Sequence, residues 1–370
     1  MKNNKPQIVQ VVSYFPPHLG GMENAVLEIT NKLSESKYKV SVYTSDIGIK
    51  RSLKNVRNFK VNYLSSIEIA HTPIIFSLFF KLVSLSENSL IHLHISQAYT
   101  PEVVYLVSKI KKIPYIAHIH LDVDASGKFG FLLKPYKKYF LSRVLKNASK
   151  IICLSEDQKK FIAKKYNLPL SSIVVIPNGV GKEFFIKKSN NINKIPHLLF
   201  VGRLAKQKNV TVLINAVTFM KNKVYLDIVG SGEEEKSLKK KIVELKLKNV
   251  KLHGKKTEKE LIDIYKTSDV FVIASEKEGI SLSMLEALAA GLPIVGADVV
   301  GIKDLIKDVG ILVSNPTPIN FAKALDNLLS NKSEIKRFSN LSVAKAKNYS
   351  WDKIISKIET VYKEVGYENK

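Results

Sequence analysis

The chain is short of cysteine, of acidic residues and of long apolar runs, and each shortage excludes something. Its single cysteine, Cys153, cannot form an internal disulfide. It lies in the apolar run Ile151-Ile152-Cys153-Leu154, so a buried, inert thiol in a reducing compartment is expected. The most apolar stretch, Pro73 to Leu85, is interrupted by Lys81 and is too short to span a bilayer. The start leads from Met1 and Lys2 into a short strand at Ile8 to Val12, not into a signal-peptide core with a cleavage site. A cytoplasmic protein is expected, soluble or held peripherally at the inner face of the cell membrane. No repeat of solenoid period recurs.

The shortage of acid leaves 33 Asp and Glu against 58 Lys and Arg, a net charge of +25. Both halves share it: 27 basic against 12 acidic residues up to Lys187, and 31 against 21 beyond. Such a field favours nucleic acid, acidic lipid or phosphorylated substrates; the plainer account is a lysine-rich chain whose charges are solvated. The basic residues lack the interleaved aromatic and glycine pattern of RNA-binding sheets, so nucleic acid is not expected as a partner.

What is present is enough for two cores: 370 residues, 45% of them hydrophobic. Strand-like runs alternate with helical stretches, opening with Ile8 to Ser13, a helix from about Glu23 to Ser34, and Val40 to Thr44. Leu90 to His94, Tyr115 to His118, Ile151 to Leu154 and Ile173 to Ile176 follow. Around Lys187 to Lys194 the chain turns polar and loses periodicity, which reads as a linker. A second series then runs through Leu198 to Val201, Tyr225 to Val229, Val270 to Ala274 and Pro293 to Gly296. Alternation of this kind implies an α/β chain of two Rossmann-like, doubly wound domains. The expected boundaries are 1–186, a linker at 187–195, 196–350, and a closing segment at 351–370.

The most informative stretch follows the strand at Val270: Glu278-Gly-Ile-Ser-Leu-Ser-Met-Leu-Glu286. In an open α/β sheet, the turn after a strand's carboxyl end is where ligands bind, and free N–H groups at the next helix suit a phosphate or sugar hydroxyl. Glu278 would face that ligand from the loop and Glu286 from one turn inside the helix. Ser283-x-x-Glu286 also fits a capping box, with Glu286 merely closing the helix start, and both readings stand. In the same half, Arg203 and Lys208 follow a strand and precede a helix expected near Asn209. A guanidinium grips phosphate bidentately and an ammonium adds a point charge, although a chain this basic puts cations after many strands. Gly20-Gly21 follows the first strand. Adjacent glycines let backbone approach a ligand closely or take positive φ, or they make an ordinary tight turn.

His118 and His120 end the strand from Tyr115, and one of them is expected to face a ligand. His92-x-His94 is a second H-x-H, which keeps a metallohydrolase open; zinc needs further convergent ligands, and none shows a recognisable spacing. Asp122-x-Asp124 reads as coincidence. Gly230-Ser-Gly232 is no dinucleotide fingerprint, since Glu235 occupies the third glycine position.

The set of motifs, in order, closely resembles the retaining, GT-B-fold glycosyltransferases of family 4. Glu278 to Glu286 resembles that family's E-x7-E signature. Gly20-Gly21-Met22-Glu23 is similar to its glycine-rich acceptor-side loop, and Val201 to Asn209 to its diphosphate-binding strand end. Pro177-Asn178-Gly179-Val180 resembles the segment entering its hinge, and Trp351 stands where its closing helix, which crosses back onto the first domain, begins. The resemblance implies a hexosyl- or N-acetylhexosaminyltransferase that takes a nucleotide-diphosphate sugar in a cleft and passes the sugar to a glycan, glycolipid or lipid-linked acceptor, with neither metal nor other cofactor. It implies Glu278 and His120 at the reacting sugar, with His118 a packed neighbour. Donor contacts would come from Gly20, Gly21, Arg203, Lys208, Gly232, Gly279, Ile280, Ser281, Leu282 and Glu286. Ile280-Ser281 stands where a Phe-Gly pair is frequent, and Asp304 where a glutamate is usual, which leaves the donor's identity open. A sugar-nucleotide-binding protein without transfer activity is the alternative.

From Ala125 to Ser155 there are seven basic residues and no acidic one. Leu132, Tyr136, Phe140, Val144 and Ala148 recur every four residues, widened by Leu133, Tyr139 and Leu145. Two readings are equal here: a basic amphipathic surface lying on anionic lipid, joined by Phe76 to Leu85, or a core-packing helix with a solvated lysine face.

Overall fold

The computed structural model describes residues 6–18, 20–49, 58–70, 72–120, 133–186 and 192–367. The chain divides into two compact units, Met1–Pro177 with Trp351–Lys370, and Asn178–Ser350.

The first unit is built on strands β1 (Gln7–Val11), β2 (Lys39–Ser45), β3 (Lys60–Leu64), β6 (Ser89–Ile95), β7 (Tyr115–Ile119), β8 (Lys150–Cys153) and β9 (Ile173–Val175). They form one parallel sheet in the order β3-β2-β1-β6-β7-β8-β9, while β4 (Ile67–Ile69) and β5 (Thr72–Ile74) make a separate antiparallel pair. Helices cover both faces of a parallel sheet, so its central strands are buried on both sides. Every residue of β6 and β7 is buried, which explains their Leu, Ile and Ala and makes the histidines that interrupt them conspicuous. Cys153 is buried there too, and burial pushes its thiol up to about 12.

The helix Trp351–Glu364 belongs to this unit. Trp351, Ile354, Ile355, Ile358, Val361 and Tyr362 recur at three- and four-residue spacing and are its buried residues. Lys32 of the helix Gly21–Glu35 reaches its Asp352 at 2.9 Å.

The second unit carries β10 (His197–Val201), β11 (Tyr225–Val229), β12 (Val250–Gly254), β13 (Val270–Ile273), β14 (Ile294–Ala297) and β15 (Gly310–Val313), all parallel, in the order β12-β11-β10-β13-β14-β15. Its extent corrects the boundary expected from composition. Val180 and Phe184, assigned by sequence to the first domain, are buried in the second core, and Val180 N–H donates to Tyr349 O at 2.8 Å. Residues 187–191 of the expected linker lie outside the described residues. Asn193, in its remainder, is held to this unit by a 2.9 Å bond from Nδ2 to Asp269 Oδ2.

Candidate active site

Each sheet has one place where the strand order reverses direction: between β1 and β6 in the first unit, and between β10 and β13 in the second. Crevices at the carboxyl ends of strands open at such points. In the second unit the loops leaving β10 and β13 are stitched together. Glu276 N–H donates to Gln207 O at 2.9 Å, and Gln207 Nε2 to Lys277 O at 2.5 Å. The stitching brings Lys208 Nζ to 2.5 Å from Glu278 Oε2, a pair with little solvent exposure. Ser275 Oγ donates to the same oxygen at 2.9 Å. Arg203 leaves the same end of β10 and is exposed, with Nη2 3.1 Å from Glu233 Oε2.

Gly232 stands where no side chain fits: a Cβ there would come 2.3 Å from Leu204 O, and the two turns are joined by Leu204 N–H to Ser231 O at 3.0 Å. Gly301, at φ +89°, presses on the other loop, where a Cβ would lie 2.3 Å from Glu278 O. Asn178 Nδ2 donates to Ile280 O at 3.0 Å from a buried position, pinning that loop from below.

The capping-box reading is overturned. The helix runs Leu282–Ala289 with Ser281 at its N-cap, so Ser283 lies inside the first turn and no side chain caps the end. Ser281 Oγ instead meets Ser283 Oγ at 2.8 Å. Glu286 turns toward Tyr265, whose hydroxyl donates to Glu286 Oε2 at 2.9 Å and is also 3.1 Å from Ser283 O. Burial, opposed by that hydrogen bond and reinforced by Glu258 and Glu183, pushes the Glu286 carboxyl from 4.5 up to about 7. Glu286 therefore does not close this helix start, whose first N–H groups take no side-chain cap.

In the first unit, Gly20 follows β1 with an extended backbone at φ −169°, and Gly21 opens the helix Gly21–Glu35. Neither has positive φ, so of the readings offered for the pair only close approach and a tight turn remain. Glu23 folds back on the loop, Oε1 lying 3.2 Å from His18 Nδ1. His92, His94 and His118 lie on β6 and β7, with His120 just past the end of β7. The parallel register pairs His94 with His118, and period-two alternation puts all four on one face. They stack, with centroids 4.4 Å apart for His92 and His94 and 4.2 Å for His118 and His120. His118 and His120 are therefore not divided between a packed and a ligand-facing side, as expected; both are buried. Burial pushes the His92 and His120 imidazoles down to about 3 and holds His94 and His118 well below the ordinary range.

Ring nitrogens of His92, His94 and His118 lie within 4.8 Å of one another. Both nitrogens of His92 are already hydrogen-bonded, to Tyr362 Oη at 2.7 Å and His118 Nδ1 at 3.1 Å. Both of His94 are bonded too, to Gln10 Oε1 at 2.7 Å and His120 Nε2 at 2.9 Å. A metal ion held by His92 and His94 would have to displace one of these bonds at each ring.

Comparison with known proteins decides the family. The family model described as Glycosyltransferase Family 4 matches residues 19–184, and that described as Glycosyl transferases group 1 matches residues 181–342. An uncharacterized glycosyltransferase of Methanocaldococcus jannaschii is 31% identical over 281 residues, 69% of this chain and 70% of its own length. The chain belongs to this glycosyltransferase family. An Escherichia coli UDP-Gal:alpha-D-GlcNAc-diphosphoundecaprenol alpha-1,3-galactosyltransferase is 28% identical over 281 residues, covering 68% of this chain and 69% of that one. The crystal structure of a glycosyltransferase from Rickettsia africae superposes with a TM-score of 0.78 at 20% identity, covering 98% of this chain and 99% of that one. The enzyme is thus a hexosyltransferase of GT-B fold.

In this glycosyltransferase the residues singled out by sequence fall into two groups. Arg203, Lys208, Gly232, Glu278, Gly279, Ile280, Ser281, Leu282 and Glu286 gather at the carboxyl ends of the second sheet, and Gly20, Gly21 and His120 at those of the first. Asp122 and Asp124 lie outside the described residues. Tyr265 and Gln10 escaped sequence reading, because a tyrosine in a helix and a glutamine in a strand announce no partner. Asn178 was readable only as part of Pro-Asn-Gly-Val.

The basic segment departs from its expected stripe. Lys137–Leu141 forms a π-helical turn between Leu133–Tyr136 and Ser142–Asn147. The wider turn shifts the face that follows. Leu141, Val144 and Leu145 go inward, while Tyr139 and Phe140 are left 61% and 59% exposed. Leu132 lies outside the described residues. This segment and the helix Leu78–Val83 both pack on the helix Thr100–Lys111. Phe76, Phe80, Leu106 and Ile110 are exposed there too, among exposed Lys81, Lys109, Lys138, Arg143 and Lys146. Among the described residues, no helix is long and apolar enough to cross a membrane.

Proposed function

We propose that the enzyme is a metal-independent, retaining transferase. It moves a hexose or N-acetylhexosamine from a nucleotide-diphosphate sugar to a glycan, glycolipid or lipid-linked acceptor at the cytoplasmic face of the membrane. The observation that carries this reading is the Lys208–Glu278 pair at the β10/β13 crevice, with Arg203 exposed on the same strand end. A departing nucleoside diphosphate gathers negative charge. Cations already fixed beside it stabilise the transition state more than the ground state, with no need of a metal ion for that charge. Glu278 holds Lys208 in place through Oε2 and offers Oε1 to a sugar hydroxyl. The N–H groups of Gly279 to Leu282 support phosphate and sugar, and Glu286 accepts from the ribose hydroxyls. His120 accepts from the transferred sugar, and Gly20 and Gly21 give backbone close access to the substrate.

Two observations favour an acceptor at a membrane. The E. coli relative is named for a diphosphoundecaprenol-linked substrate. The exposed aromatics Phe76, Phe80, Tyr139 and Phe140, on segments that also expose Lys81, Lys138 and Lys146, are the combination that lies on anionic lipid. The test is transfer from UDP-, GDP- and ADP-sugars to lipid-linked acceptors in the presence of EDTA, with NMR of the new linkage. Transfer with retained anomeric configuration supports the reading. Inversion, or activity abolished by the chelator, contradicts it.

A further inference from the structure

The β4–β5 hairpin belongs to neither parallel sheet. A two-stranded hairpin is marginal on its own, and this one is tied down at both ends. Ser66 N–H and Oγ donate to Asp46 Oδ1, just past the end of β2, at 3.0 and 2.8 Å. The Tyr99 hydroxyl, in the loop leaving β6, donates to Ile75 O at 3.1 Å. Both anchors lie at carboxyl ends of strands, so the hairpin stands at the rim where the crevice of this unit opens.

Its two faces differ. Side chains alternate along a strand, so Ile67 and Ile69 share a face with Ile74, the cross-strand partner of Ile67. Ile67 and Ile69 are 58% and 60% exposed. Glu68 and Pro73 pair on the other face, where Pro73 is buried. Burial first, and then the charges of Glu68 and Glu23, push the Tyr14 hydroxyl up to about 12. Tyr14 lies in the loop leaving β1 and stacks on His18, ring centroids 4.4 Å apart. The hairpin thus turns one face to the β1 loop and three isoleucines outward.

Charge decides what fits the outward face. From Val61 to Phe80 this strongly basic chain has no Lys or Arg, and Glu68 is the one acidic residue. A face for anionic headgroups would carry cations, whereas this gap suits uncharged hydrocarbon. Two strands about 4.8 Å apart present a row as wide as one chain, too narrow for a two-chain phospholipid.

We propose that Ile67, Ile69 and Ile74 form a track for the prenyl chain of a diphosphate-linked acceptor. The track begins at the crevice, and its segment runs on to the exposed Phe76 and Phe80. The inference rests on the reading of a lipid-linked acceptor and narrows that acceptor to one with a single hydrocarbon tail.

The test is photolabelling with farnesyl diphosphate carrying a terminal diazirine, located by peptide mass spectrometry. Label is expected on β4 or β5. It should fall about tenfold in Ile67→Ser combined with Ile69→Ser, and persist when both become Leu. The exposed positions should leave the melt unchanged, and the Ser variant should sediment with phosphatidylglycerol vesicles as wild type does. Equal labelling of the Ser variant, or label confined to the Phe80 and Phe140 segments, overturns the proposal. So does a loss of vesicle binding that matches the loss of label, or labelling of the hairpin by a diazirine phosphatidylglycerol instead. A wild-type dimer abolished in the Ser variant overturns it too, by covering the face with a second copy. Wild type that takes the label but binds no UDP-, GDP- or ADP-sugar sinks the transferase reading and leaves the track. Wild type that binds a nucleotide sugar and takes no label on the hairpin sinks the track alone.

Discussion

The hydroxyl of Tyr265 donates a 2.9 Å hydrogen bond to Glu286 Oε2, one turn inside a helix that no side chain caps. The bond stabilises a carboxylate that burial opposes, and the carboxyl still sits near 7 instead of 4.5. Because its folded pKa is raised, the native state binds that proton more tightly than the unfolded chain does. The stability Glu286 lends is therefore greatest below about 4.5 and is lost as pH rises through 7. Glu286→Gln, neutral throughout, should gain on the wild type between about pH 5 and pH 8 by roughly 1–2 kcal/mol, a figure reduced for partial solvent screening. Urea melts at the two pH values measure it. Tyr265→Phe should cost about 1–2 kcal/mol by leaving the carboxyl less satisfied. A pH-independent loss of about 1 kcal/mol in Glu286→Ala, with nucleotide-sugar affinity intact, would restore the capping role.

Lys208 and Arg203 should separate stability from catalysis. Arg203 is exposed, so Arg203→Ala is expected to leave the melt within about 0.5 kcal/mol of wild type. Lys208→Ala leaves the nearly buried Glu278 without its cation and should cost about 2–3 kcal/mol. Both should lower kcat by about 100-fold or more, the scale of losing a charge-stabilising group. Stopped assays on protein shown by denaturation to be folded check both statements.

Two glycines test whether the loops are shaped for a ligand or for packing. Gly232→Ala drives a Cβ into the Leu204 backbone and should destabilise by about 1–3 kcal/mol. At Gly21 a Cβ meets nothing within 4 Å and the residue is helical, so Gly21→Ala should stabilise by about 0.5 kcal/mol. Activity lost in Gly21→Ala despite that gain marks the backbone as approached by substrate; activity retained makes it an ordinary turn.

The exposed aromatic surface gives a separate expectation. Phe80→Glu combined with Phe140→Glu should abolish cosedimentation with vesicles containing about 30% phosphatidylglycerol, and leave the melt unchanged because both side chains are exposed. Equal sedimentation of variant and wild type would return the segment to a helix with a solvated lysine face.

Central strands were legible in the sequence, and three of the four edge strands were not. The strands at Ser89, Tyr115 and Val270 are buried throughout, and that burial writes short, mostly apolar runs. Of the four sheet edges β3, β9, β12 and β15, only the apolar β9 was read, at Ile173 to Ile176. Lys60-Val-Asn-Tyr-Leu64 and Val250-Lys-Leu-His-Gly254 mix polar residues as edge strands do, and neither looked like a strand. In the site, Arg203, Lys208 and Glu278 were readable from their place after strands, but their pairing was not, because Glu278 meets Lys208 across 70 residues. Glu286 was seen and its partner Tyr265 was not. The domain boundary failed for a related reason: Val180 and Phe184 carry no local mark of which core they enter.

Isothermal titration of nucleoside diphosphates and their sugars into wild type, Arg203→Ala and Lys208→Ala, without added metal, tests the diphosphate site most directly. One nucleotide family should bind the wild type at a single site, and affinity should fall at least tenfold in each variant. Equal affinity in all three proteins, or binding that appears only with a divalent cation, would contradict a diphosphate held by Arg203 and Lys208.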